Sequence, residues 1–331
     1  MARRPPVRRV QSARVRSPGP VSRVVPRSRP EGIRWLRADG TPNWSQRIYE
    51  KPGEARLLAS RPPRSIVYSS TILEAAEAIA EHRVRGLVVV DSRESLKGIL
   101  LTTDMVNYLG GGEYYNIVIA RHNRNIFKAL RNELVQSIYN PSPVYVYTDQ
   151  SLEDVLHAMI GEGVGLIPVV YDDGSVYGVL TEHDLVKYLA RRSVGRKVRD
   201  YMTTPVVTID AESTIRSAAR QMVKYGFRRL PVVSGGDSSV KGMVTAKDIV
   251  VFFGSHEALS RATTGNIEEV LETPVYEVMQ PGVYTIDAGA DVGEAASAMI
   301  EYGVSSLLVT EEDSIIGIIT ERDVLVSLVV G

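Results

Sequence analysis

Four segments of this chain close on one seven-residue pattern: a glycine, two apolar residues, threonine, two variable residues and an aspartate. The copies read GVLTEHD from Gly178 to Asp184, GMVTAKD from Gly242 to Asp248 and GIITERD from Gly317 to Asp323. A fourth, GILLTTD from Gly98 to Asp104, has Leu101 in the threonine place. In each, an apolar strand leaves a glycine turn, meets a polar Thr-x-x-Asp and is followed by an apolar helix. Four copies of one strand-to-helix junction imply four copies of one structural unit, a stronger constraint on the fold than any single element.

Two readings of Thr-x-x-Asp stand together. Threonine at a helix N-cap with an acid three residues on is a capping box, which satisfies amides that the helix leaves unpaired. The same helix start, with free N–H groups and the positive end of its dipole, is also an anion site. The aspartate can then accept hydrogen bonds from a ribose diol, and the threonine can bond a phosphate or sugar oxygen. Capping and ligand binding are compatible.

The unit around each junction can be framed by pattern. In the first copy, Ile66–Tyr68 reads as a strand and Ile72–His82 as a helix with Ile72, Ala75, Ala76 and Ile79 on one face. Strands at Leu87–Val90 and Leu96–Leu101 follow, and Met105–Leu109 opens the closing helix. The same order returns three times, and Pro63, Pro143, Pro205 and Pro281 precede the terminal aspartates by 41, 41, 43 and 42 residues. The third copy is clearest: Ile215, Ala218, Ala219, Met222 and Val223 form the helix stripe, and Leu230–Val233 is the buried strand.

The small-apolar helix, a strand such as Leu230-Pro231-Val232-Val233 and the closing Gly-x-x-Thr-x-x-Asp resemble the cystathionine-β-synthase (CBS) repeat over residues 62–331. The resemblance implies an α/β (α+β) fold of four CBS repeats, at 66–109, 137–190, 198–254 and 275–331. Repeats one with two and three with four would form two Bateman modules in a flattened disc. That layout is similar to the γ subunit of AMP-activated protein kinase and its archaeal relatives. It also implies an adenosine ligand between paired repeats, AMP, ADP, ATP or S-adenosylmethionine, with the aspartate on the ribose. Mapped here, Thr181 with Asp184, Thr245 with Asp248 and Thr320 with Asp323 are intact. Asp104 lacks its threonine, and its cleft ranks last. Family relatives carry phosphate-binding cations before the second strand, matched by Arg228 and Arg229 and, singly, by Arg85. Lys247 and Arg322, each directly before the aspartate, stand on helix starts where they can reach an anion or remain solvated. The pair of repeats three and four is the best equipped.

The formal net charge of zero hides an asymmetry. Residues 1–65 hold 16 basic against four acidic residues, +12, which leaves −12 on the remainder. Residues 1–30 carry nine arginines, six prolines and no acid, with no apolar periodicity, and read as an extended or disordered tail. Residues 31–65 hold both tryptophans among arginines and read as a basic aromatic arm. Guanidinium groups grip phosphates and flat aromatic faces stack on unpaired bases. This marks Arg3, Arg4, Arg8, Arg9, Arg14, Arg16, Arg34, Trp35, Arg37, Trp44 and Arg47 as candidate nucleic-acid contacts. Trp35 and Trp44 can equally dock the arm on the body. The triple glycine at 110–112 lacks the Gly-Lys-Ser/Thr of a P-loop. Residues 110–136 read as a glycine-rich loop and an inserted helix, with Ile126, Leu130 and Leu134 on one face and Arg121, His122, Arg124, Lys128 and Arg131 making it basic.

The absence of cysteine excludes disulfides, thiolate zinc sites and cysteine nucleophiles. No apolar run is long enough to span a bilayer, and the basic N-terminus has no secretory h-region. The expectation is a cytoplasmic chain without a membrane. The five histidines show no metal-ligand spacing and no nucleophile elbow is present, so a non-enzymatic regulator without a metal is expected. Two functions fit. One is an adenine-nucleotide sensor whose arm docks on RNA, with ribosomal RNA foremost, and represses translation in the manner of ribosome hibernation. The other is a γ-like regulatory subunit of a kinase or metabolic enzyme. Either a monomer or a homodimer is compatible with the sequence.

Overall fold

The structure is a computed structural model of the chain, and it describes residues 7–10, 13–16, 53–190, 194–235 and 239–329. After strand β1 (Val7–Val10) and helix α1 (Glu54–Leu58), repeat one is β2 (Ser65–Val67), α2 (Ile72–His82), β3 (Gly86–Val90), β4 (Leu96–Leu101) and α3 (Thr102–Val106). Helices α4 (Tyr115–His122) and α5 (Ile126–Asn132) lead to repeat two: β5 (Val146–Tyr147), α6 (Leu152–Gly161), β6 (Leu166–Val170), β7 (Val176–Thr181) and α7 (Glu182–Leu189). Repeat three is β8 (Ile209–Asp210), α8 (Ile215–Tyr225), β9 (Arg229–Val233), β10 (Val240–Thr245) and α9 (Ala246–Gly254). Helices α10 (Glu257–Arg261) and α11 (Ile267–Leu271) and strand β11 (Gln280–Pro281) follow. Repeat four is β12 (Val283–Asp287), α12 (Val292–Glu301), β13 (Ser306–Glu311), β14 (Ser314–Thr320) and α13 (Glu321–Val329). The four-repeat expectation holds, with strand, helix, strand, strand, helix in each.

In every repeat the first strand runs parallel to the second, as a helical crossover requires, and the third returns antiparallel as a hairpin. The middle strands β3 and β6 are buried along their whole length, which is why their sequences are unbroken apolar runs. The first helices start at caps written in the sequence. Thr71 with Glu74, Ser151 with Asp154 and Asp291 with Glu294 form capping boxes, and Thr214 accepts from the Ser217 amide.

Paired repeats grip each other through the residues that lead into them. Asn140, leading into repeat two, exchanges two backbone hydrogen bonds with Ile99 of β4, at 2.9 and 3.1 Å. Ser60, leading into repeat one, does the same with Val179 of β7, at 2.9 and 3.2 Å. Thr203 pairs with Ile318 of β14, and Gln280 with Met243 of β10. The recurring glycine of the seven-residue pattern serves this approach. It lies inside a strand and not at a turn, which corrects the sequence reading. A Cβ on Gly98 would sit 2.1 Å from the Asn140 carbonyl oxygen, and one on Gly242 2.3 Å from that of Gln280.

Helices join the two pairs crosswise. One core gathers repeats one and three, with Ile72, Ile79, Met105 and Tyr108 against Ile215, Met222, Ile249 and Phe253. A second gathers repeats two and four, with Leu156, Met159 and Leu185 against Val292, Met299, Val324 and Leu325. The segment 110–136 is two helices, not one, and Leu134 lies beyond both. Its basic face is partly neutralised: the buried Glu133 takes Arg121 at 2.9 Å and His122 at 2.7 Å. Helices α10 and α11 are its counterpart after repeat three. The two linkers cross through mutual bonds, Ile126 N–H to the Gly265 carbonyl and Ile267 N–H to that of Arg124, both 2.9 Å.

Two departures concern the N-terminus. The body begins before residue 66: Ala55 of α1 is fully buried in the core of repeats two and four, and the Leu152 amide donates to Glu54 Oε2 at 3.1 Å. Residues 7–10 and 13–16, read as part of an extended or disordered tail, are docked on the body. β1 adds an antiparallel edge strand to β12, Arg14 bridges to Ser239, and Val15 packs with Val206, Val240, Val283, Leu308 and Ile315. The edge of β12 offered unpaired backbone groups, and Val7, Val10 and Val15 supplied the apolar contacts that a composition rich in arginine and proline conceals.

Candidate functional site

The four junctions bring their helix starts together at the centre of the assembly. Thr181 and Thr245 cap α7 and α9, each through a capping box with its aspartate. Thr181 Oγ1 donates to Asp184 Oδ2 and Thr245 Oγ1 to Asp248 Oδ2, both at 2.6 Å, and Thr320 Oγ1 to Asp323 Oδ2 at 2.8 Å. Capping therefore occupies one oxygen of each carboxylate. The second oxygen of Asp184 accepts from Ser60 Oγ at 2.9 Å, and that of Asp248 from Gln280 Nε2 at 3.2 Å. Both donors are lead-in residues of the sister repeat, and the sequence reading passed over them.

A cavity of about 500 Å³ opens where the two pairs meet. It is lined by Asp323, Thr320 and Arg322 of repeat four, by Arg228 and Arg229 of repeat three, and by Asp104 and Leu101 of repeat one. Its apolar wall includes Val206, Val207, Pro231 and Ile318. The volume and the mix of apolar wall with few polar groups are those of a small-molecule site. Asp184 and Asp248 do not line it. The cavity reaches Asp323 and Asp104, whose cleft the sequence reading ranked last, and not Asp248.

Asp104 owes its state to the missing threonine. Its carboxylate accepts the Leu101 amide at 2.8 Å, and leucine has no hydroxyl to add. Burial then dominates and pushes its pKa up to about 6. Below that pH it is a neutral acid, and above it an acceptor suited to a diol.

The cations are distributed unevenly. Arg228 Nη2 lies 2.9 Å from Glu182 Oε2 and Arg322 Nε 2.7 Å from Glu182 Oε1. Arg85 reaches Glu321 at 2.6 Å and Glu182 at 3.8 Å. Burial would raise the Glu182 carboxyl, but Arg228, Arg322 and Arg85 outweigh it and hold the pKa down to about 2. His183 Nδ1 lies 2.7 Å from Glu321 Oε1, and that hydrogen bond raises the imidazole above its ordinary value. Arg228, read from the sequence as a phosphate ligand, and Arg322, read as either reaching an anion or staying solvated, are thus engaged by carboxylates. The reading missed Glu182 and Glu321, though both occupy the first variable position of Thr-x-x-Asp. Ion-pair partners 46 and 140 residues apart leave no local signal.

Arg229 differs. Among the described residues its guanidinium has no carboxylate within ion-pair distance. It lines the large cavity and a second of about 120 Å³ that also holds Arg85, Lys247, Thr245 and His183. Burial, with Arg85 and Arg228 nearby, lowers its pKa to about 9. Lys247, lowered chiefly by burial, donates to the Arg83 carbonyl at 3.4 Å. A buried surplus of positive charge is relieved by an anion.

The candidate polyanion contacts are mostly elsewhere. Arg3, Arg4, Arg34, Trp35, Arg37, Trp44 and Arg47 lie outside the described residues. Arg8 pairs with Asp313 at 2.5 Å and Arg9 donates to the Pro281 carbonyl at 3.4 Å, so both are turned to the body. Among the described residues no group of three or more acidic or histidine side chains is placed to hold a metal ion. No helix there is long and apolar enough to cross a membrane.

Comparison with known proteins agrees with this architecture. The family model described as "CBS domain" matches residues 55–111, 135–191, 198–254 and 275–330. An uncharacterised 33.4 kDa protein in a ribosomal RNA operon of Thermofilum pendens is 35% identical over 268 residues, covering 81% of this chain and 88% of that one. The crystal structure of MJ1225 from Methanocaldococcus jannaschii, described as a candidate archaeal homologue of γ-AMPK, superposes with a TM-score of 0.75. It is 30% identical and covers 82% of this chain and 98% of its own. A conserved Pyrococcus horikoshii protein, 19% identical with a TM-score of 0.53 over 84% of this chain and 100% of its own, shares the fold. With four matched repeats, paired in sheets and crossed in helices, the chain belongs to the CBS-domain family.

Proposed function

We propose that this protein is a non-catalytic regulator that binds adenine nucleotides in the central cavity and reports their phosphorylation state to a partner. The observation that carries the reading is Arg229, a half-buried guanidinium with no carboxylate partner among the described residues, on the wall of both cavities. Asp323 and Asp104 would hold ribose hydroxyls, Val206, Val207 and Ile318 would meet the base, and Arg229 with Lys247 would take phosphate. Similarity to MJ1225, itself described in relation to γ-AMPK, supports the regulatory part of the reading. The test is calorimetry with AMP, ADP and ATP on wild type, Arg229→Gln and Asp323→Ala. Each substitution is expected to weaken binding about tenfold or more, since a desolvated charge-assisted contact is worth ~1.5–3 kcal/mol. Unchanged affinity and stoichiometry in both variants would reduce the aspartate to a cap and the arginine to surface charge.

RNA binding through the N-terminal arm is a second proposal, carried by the +12 charge of residues 1–65. With Arg8 and Arg9 turned to the body, it rests on Arg3, Arg4, Arg14, Arg16, Arg34, Trp35, Arg37, Trp44 and Arg47, with ribosomal RNA as the foremost target. Each phosphate contact adds ~0.7–0.9 to the slope of log affinity against log salt. RNA titrations of the full chain and of residues 53–331 across a salt series are expected to differ by several contacts. Equal slopes would leave the arm to a protein partner.

A further inference from the structure

The central carboxylates are placed by a pattern that alternates around the assembly. The first residue of each closing helix is Thr102, Glu182, Ala246 or Glu321, and all four are buried. Their amides bond back to the carbonyls of Arg85, Gly165, Arg228 and Ser305 at 3.0, 3.2, 2.9 and 3.3 Å. Repeats one and three thus bring arginine to the centre, and repeats two and four bring glutamate. Gly165 makes the crossing possible: a Cβ there would lie 2.7 Å from Arg228 Nη1 and 3.0 Å from Glu182 Oε2. Repeats two and four supply small residues where the others supply cations, and the carboxylates fill that space.

We infer that Glu182 and Glu321 determine how many phosphates the nucleotide site accepts, by occupying the guanidinium faces that a longer polyphosphate would need. This rests on the nucleotide reading above. Arg85, Arg228, Arg229, Arg322 and Lys247 face the cavities, and Glu182 and Glu321 hold Arg85, Arg228 and Arg322. A monophosphate anion needs Arg229 and one neighbour. Each further phosphate must approach the two carboxylates or displace one from its guanidinium. Like-charge repulsion in a poorly solvated centre grows with every charge added to the ligand. The centre therefore prefers AMP to ATP, and the preference resides in Glu182 and Glu321.

The test compares AMP and ATP affinities by calorimetry for wild type and Glu321→Gln, which keeps the size of the side chain and a hydrogen-bonding oxygen for Arg85. ATP affinity is expected to rise about tenfold while AMP changes less than about threefold, since one unit charge is removed within a few ångströms of the added phosphates. Thr102→Glu, which adds a carboxylate at the equivalent position on the wall of the smaller cavity, is expected to shift the ratio tenfold the other way. Melting curves establish that each variant is folded, and if one is not, the other decides. Nucleotides that bind with an unchanged ATP-to-AMP ratio would overturn the inference and leave the nucleotide reading standing. Wild type that binds neither nucleotide would overturn both.

Discussion

Glu182→Ala is expected to lower the free energy of unfolding by about 3 kcal/mol at neutral pH. The side chain is 2% exposed and bonded to Arg228 and Arg322, with Arg85 at 3.8 Å. Removing it leaves guanidinium groups facing one another in a poorly solvated centre, and breaking a buried pair from one side costs ~3–5 kcal/mol. Partial exposure of the arginines places the expectation at the lower end of that range. Titration points in the same direction. A carboxyl held at about 2, against an ordinary 4.5, binds its proton less readily when folded. The stability it confers is fully present above pH ~4.5 and is lost as the pH falls towards 2. Denaturant unfolding between pH 7 and pH 2 checks both statements: the variant should be weaker at neutral pH and show a flatter acid limb. A loss below about 1 kcal/mol with an unchanged acid limb would mean that water screens this centre as it does a surface ion pair.

Gly98→Ala is expected to cost about 3 kcal/mol, although alanine is ordinarily acceptable within a strand. The new methyl would lie 2.1 Å from the Asn140 carbonyl oxygen, which is backbone and cannot rotate away. Relief requires moving residue 140 off β4, with loss of its two hydrogen bonds to Ile99 at 2.9 and 3.1 Å. Overpacking of this kind costs ~1–3 kcal/mol and each hydrogen bond ~1 kcal/mol. Gly242→Ala, 2.3 Å from the Gln280 carbonyl oxygen, should behave alike. Gly161→Ala is the internal control: it sits in α6, its Cβ would meet nothing nearer than His157 at 3.8 Å, and a gain of about 0.5 kcal/mol is expected. Urea unfolding of the three variants would refute the close approach if Gly98→Ala and Gly161→Ala proved equally mild.

Local chemistry made much of this protein legible without coordinates. The apolar stripe Ile72, Ala75, Ala76, Ile79 lies on a helix with the bounds read from the sequence, because periodicity and the Thr71 cap act within one turn or two. The stripe Ile215, Ala218, Ala219, Met222 also lies on α8, and the runs read at Leu87–Val90 and Leu230–Val233 became β3 and β9, each one residue longer at its start. The capping role of Thr181 and Thr245 was likewise readable, since donor and acceptor are three residues apart. The glycine of the repeated motif was visible, and its purpose was not: the atom it makes room for belongs to the sister repeat. The N-terminal valines escaped notice for a related reason, since their partners in β12 are about 270 residues away.

What the amino-acid order alone determined is the unit and its count: four β-α-β-β-α repeats, each closed by a capped helix, because those features depend on neighbours along the chain. Only the tertiary structure decided which repeats share a helical core, which aspartates face a cavity, and which arginines are already held by Glu182 and Glu321. Those outcomes are set by Coulomb and steric contacts between segments distant in sequence, whose strength depends on separation in space and on burial.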